Sequence, residues 1–81
     1  MKLMNIEGTI DLLGEAHAHP KGRVYSHVSI LTTKGDEVLA HNVCVHESLA
    51  DKLRLGVTGA FVLQKTLFST VLREAEIATA A

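Results

Sequence analysis

This chain has no tryptophan, one tyrosine and two phenylalanines. A core with so few large rings must be filled by valine, leucine and isoleucine, interlocked at close packing. One cysteine, Cys44, excludes an intrachain disulfide and suits a reducing compartment. One proline, and no Pro- or Ser-rich stretch, leaves nothing that reads as a linker. No apolar run approaches the roughly 20 residues that a membrane helix needs. Asn5 and Glu7 break the N-terminal apolar residues before a signal-like core forms. These absences together lead us to expect a soluble cytoplasmic protein that does not enter a membrane.

What is present points to one small domain. The 81 residues are 47% hydrophobic and 21% charged, too apolar for a disordered chain. A domain this size buries roughly 60 to 65% of the surface that its unfolded chain exposes, so its core is thin. Oligomerisation would add burial. Residues 1–77 are expected to form the domain, with a frayed tail over 78–81.

The net charge of −1 argues against strong non-specific attraction to a phosphate backbone. The charge is blocked along the chain, however. Residues 21–34 carry Lys21, Arg23 and Lys34 with no acid, and residues 35–51 carry four acids with no base. Residues 52–73 carry Lys52, Arg54, Lys65 and Arg73 with no acid. A basic patch can therefore hide under a near-neutral total.

Periodicity two dominates the chain. Met4, Ile6, Gly8, Ile10 and Leu12 alternate with Asn5, Glu7, Thr9 and Asp11, the pattern of a half-buried strand. Glu15 to Gly22 reads as a loop with a turn near Lys21. Arg23 to Thr33 is a second strand, with Tyr25, His27, Ser29 and Leu31 on one face. Lys34-Gly35-Asp36 is a hairpin connection. Glu37 to Val45 is a third strand, apolar on both sides. Ser48, with Asp51 at the capping-box position and Gly56 beyond, predicts a helix over 48–55. Val57 to Lys65 is a fourth strand in which Gly59 marks a bulge or bend. Residues 67–77 fit both a strand and a helix, and the strand is preferred.

The element order is therefore β-β-β-α-β-β. Five short strands with a helix after the third resemble the OB-fold, a small, mostly β Greek-key barrel. The resemblance is one of order and spans most of the chain; an SH3-like barrel is the alternative, usually without that helix.

Five histidines invite a metal reading. Zinc wants four ligands in tetrahedral array, commonly from paired knuckles. His41 and Cys44 would point to opposite faces of a strand, while Cys44 and His46 would share one. That spacing is poor, so no metal and no cofactor is expected. Cys44 as a nucleophile would need a depressed pKa, and its place between Val43 and Val45 predicts burial instead. No Ser/His/Asp set and no phosphate-cradling glycine loop is present. A non-catalytic binding module is the expectation.

Two ligands fit such a module. The favoured one is a protein partner or a second copy, forming a homo-oligomer through Leu3, Leu31 and Val43. The alternative is single-stranded nucleic acid, held by Arg23, Tyr25 and His27 on the second strand with Lys21 and Lys34 at its ends.

Overall fold

The computed structural model describes residues 2–79, and among them lie six strands and one short helix. They are β1 (Lys2–Leu13), β2 (Ala16–His19), β3 (Gly22–Thr32), β4 (Glu37–His46), α1 (Glu47–Ala50), β5 (Thr58–Lys65) and β6 (Thr70–Thr79).

Five of the strands close into a ring of hydrogen bonds, in the order β1-β3-β4-β6-β5 and back to β1. Every junction is antiparallel except β4 with β6. A closed ring leaves no edge along its paired length. The sixth strand, β2, lies in the segment expected to be loop. It pairs only with β3, from Ala16↔Tyr25 to His19↔Gly22, on the edge that β1 leaves further along. Its four residues are all exposed, so its alternation of alanine and histidine marks no buried face.

The core is aliphatic around two rings, Phe61 and Tyr25. Phe61, Ile10, Ile30, Leu63, Val43 and Val45 are the largest fully buried side chains. Each contributes about 1.5–3 kcal/mol by leaving water.

Alternation slips where strands bend. On β1 the inward face runs Ile6, Gly8 and Ile10, and a register shift follows between Ile10 and Leu12. Leu12, expected inside, is left exposed, and Leu13 packs against the core instead. On β3, Tyr25 and Val28 are both buried although they are three residues apart. Their partners on β4, Val43 and Ala40, are buried and three apart as well. Asn42, at φ 52°, absorbs the change of phase in the left-handed region that asparagine tolerates. Tyr25 and Ser29 therefore do not share the face that strict alternation assigned them.

Gly8 and Gly59 are partners across β1 and β5. A Cβ on Gly8 would stand 2.2 Å from the Leu31 carbonyl oxygen, and one on Gly59 would stand 2.2 Å from that of Glu76. Only glycine lets neighbouring backbone come this close, and the β5–β6 register shifts at Gly59 as the bend requires.

The helix is shorter than expected and starts earlier. His46, not Ser48, is its N-cap. After Ala50 the chain turns, and Ala50, Leu53 and Val57 plug the barrel beside β4. The last strand settles the ambiguity over 67–77 in favour of β, because Leu72 and Ala75 are needed in the core. It continues to Thr79, into the segment expected to fray; Ala80 and Ala81 lie outside the described residues.

Candidate functional site

The parallel junction is the weakest seam of the ring. β4 and β6 pair only through Val43↔Thr70, Cys44↔Val71 and Val45↔Leu72. Beyond Val45 the two strands part, and α1 starts within two residues. The parting opens a groove of about 400 Å³. The β2–β3 hairpin supplies one wall with His19, Lys21 and Arg23; β6 supplies the other with Arg73. Cys44, Val71 and Leu49, all half-buried, are among the residues between them.

The hairpin wall is held in place by backbone. The Glu47 N–H donates to the Lys21 carbonyl at 3.0 Å, which ties the turn to the start of α1. Gly22 makes this possible: a Cβ there would meet the Val45 carbonyl oxygen at 2.1 Å. Gly22 thus has a packing reason to be in the turn, beside the conformational one that Pro20 and Gly22 share.

Two histidines flank that glycine. His19 on β2 and His46 on β4 are both register partners of Gly22. The Lys21 N–H donates to His19 Nδ1 at 3.4 Å, and the Ser48 N–H donates to His46 Nδ1 at 3.1 Å. His46 Nδ1 also lies 2.9 Å from Ser48 Oγ. Accepting backbone bonds at Nδ1 places the ring proton on Nε2, so each neutral imidazole is an Nε2–H donor with a flat π face. That tautomer does not suit a metal ligand at Nε2. Among the described residues no group of three or more His, Cys, Asp or Glu side chains is arranged to hold a metal ion.

Electrostatically the groove is one-sided. Lys21, Arg23 and Arg73 line it, and among the described residues no carboxylate does, Glu47 and Asp51 lining the neighbouring depression instead. The Arg73 guanidinium is steadied by Nε, which donates to Gln64 Oε1 at 2.5 Å. Such a surface can hold an anion by several charge-assisted bonds, and its apolar floor and imidazoles can meet a flat or apolar group beside it.

The expected nucleic-acid residues are divided by the fold. Lys21 and Arg23 come together in the groove. Tyr25, at 4% exposure, is a core residue and offers no face for stacking, because the phase slip turns it inward. His27 is half-buried, with Nδ1 3.2 Å from Ser26 Oγ, and is the partner of His41 rather than a groove residue. Lys34 is exposed in the β3–β4 turn, at the opposite end of β3 from Arg23.

The expected contact residues are divided too. Val43 is 1% exposed and belongs to the core, so it has no surface to share. Leu3 and Leu31 are exposed. Leu3 pairs with Gln64, while Leu31 pairs with Thr9, six residues along β1 from Leu3. About 20 Å of strand separates them, within the span of one ordinary interface.

Sequence reasoning did not select His19, His46 or Arg73 for this site. The signal for Arg73 was present in the basic block 52–73, but only the β4–β6 pairing brings that block to the hairpin. Leu67 and Phe68 were missed as surface residues; they are the most exposed large apolar side chains described, at 92% and 90%.

Compared with known proteins, the chain matches no family model, no curated protein and no solved structure.

Proposed function

We propose that this protein is a non-catalytic, OB-like binding module for single-stranded nucleic acid, with the β4–β6 groove as its site. The ring order, the single parallel junction between β4 and β6, and the helix between β4 and β5 support an OB-like reading over an SH3-like one. β2 is then an added hairpin strand that widens the binding edge. The observation that carries the function is the groove's charge: three cations from two separate parts of the chain, with no acid among the lining residues.

The roles follow from chemistry. Lys21, Arg23 and Arg73 pair with phosphates. His19 and His46 present ring faces and Nε2–H donors to bases, a part that imidazole shares with the larger aromatics. Each stacked base is worth about 1–3 kcal/mol. A duplex is a poorer fit, because a groove of about 400 Å³ is too small for its width but suits one splayed nucleotide at a time.

The test is fluorescence anisotropy with labelled oligo-dT at low and moderate salt. The native protein binds at low salt and weakens as salt rises. Arg23→Ala with Arg73→Ala abolishes most of that binding. No binding at low salt, or binding indifferent to the double change, overturns the reading.

A further inference from the structure

The β5–β6 ribbon carries a knob at one end and a socket at the other. The knob is its turn, Thr66 to Ser69. The Thr66 N–H donates to the Ser69 carbonyl at 2.8 Å, and the Ser69 N–H donates to Thr66 Oγ1 at 3.1 Å. Thr66 Oγ1 in turn donates to the Ser69 carbonyl at 2.9 Å. This clamp holds Leu67 and Phe68 at the centre of the turn, where glycine, asparagine or proline would be usual. Both side chains stand almost wholly in water. Lys2 and Lys65, partners across β1 and β5, border the same depression as Leu67.

The socket lies at the open end of the ribbon. Glu7, Ala60 and Glu76 are in register across β1, β5 and β6, so a methyl group sits between two exposed carboxylates. Gly8, Gly59 and Ile77 extend this floor, and the groove measures about 380 Å³. Knob and socket therefore match twice: large apolar groups face a small-residue floor, and a lysine pair faces a glutamate pair. Ala60 and Thr66 are six residues apart along β5, about 20 Å of strand, so the knob cannot reach its own socket.

We propose that a second copy of this chain is the occupant: the Leu67–Phe68 turn of one copy seats in the Glu7–Ala60–Glu76 groove of the next. The contact joins two different patches, so it is heterologous and propagates head to tail. It does not rest on the nucleic-acid reading, since it uses neither Lys21, Arg23 nor Arg73. Two side chains and four charges bury little area, so association is weak, grows with concentration and is reduced by salt.

Light scattering across a concentration series tests this. The expected mass rises above the 8.7 kDa of one chain and continues past two chains without a plateau. Phe68→Glu and Ala60→Arg each return the protein to one chain. Both positions are exposed, and circular dichroism verifies the fold. An equimolar mixture of these two variants forms a two-chain species, because one retains its socket and the other its knob. Lys65→Glu mixed with Glu76→Lys restores association in the same way. A mass fixed at one chain, a plateau at two for the native protein, variants that associate like the native chain, or mixtures that stay single overturn the proposal.

Discussion

His19 and His46 stand on either side of Gly22, one on β2 and one on β4, with no side chain between them. The hydrogen that serves as the side chain of Gly22 lets the Val45 carbonyl oxygen pack against it. Gly22→Ala forces backbone apart at that contact. We expect a loss of about 2–3 kcal/mol, in the upper range for single changes, and a fall in Tm of roughly 10 °C or more. Thermal and urea unfolding measure it; a change under about 0.5 kcal/mol would show that the hairpin is not pressed against β4.

Salt dependence counts the phosphate contacts. Release of counterions from a single strand contributes about −0.7 to the slope of log K against log salt for each neutralised phosphate. Three cations predict a slope near −2 by that rule. Arg73→Ala should make it shallower by about 0.7, and Lys34→Ala, at the far turn, should leave it unchanged. Equal effects from both changes would move the site off the groove.

Cys44 reports on occupancy. Its thiol is half-buried in the groove, with Sγ 4.0 Å from Ser69 Oγ. Alkylation by iodoacetamide should slow several-fold when oligo-dT fills the groove. The same rate with and without saturating oligonucleotide would mean that the ligand binds elsewhere.

Tyr25 separates stability from binding. Its ring is buried against the core, so Tyr25→Leu should cost about 1–3 kcal/mol of stability. Oligonucleotide affinity per folded molecule should stay as in the native protein. A loss of affinity with stability intact would restore Tyr25 as a stacking platform and displace the histidines.

Much of the barrel could be read from residues in order. Alternation along residues 4–10 marks β1, the β-branched run 24–32 marks β3, and Lys34-Gly35-Asp36 marks the turn that joins β3 to β4. These signals are local, since they depend on neighbours in sequence and on the two-residue pleat. What failed was any inference that carried the pleat through a bend. The bulge after Ile10 put Leu12 outside, and the paired slip at Asn42 put Tyr25 inside. A bulge is set by strand closure around the ring, and no residue near Tyr25 states it.

The candidate site was legible in half. Lys21 and Arg23 stand two apart in a turn, and their shared location follows from that. Arg73 reaches them only through the parallel pairing of β4 with β6, and His46 through the antiparallel pairing of β3 with β4. The sequence by itself determined a β-rich domain with an aliphatic core, the β3–β4 turn and the presence of a helix between β4 and β5, because each rests on composition or on contacts between near neighbours. Tertiary structure alone decided the closure of the ring, the inward turn of Tyr25 and Val43, and the meeting of three cations without an acid. Those depend on strand pairings between residues distant in sequence, such as Tyr25 with Val43 and Cys44 with Val71, where the deciding partner lies outside any local window.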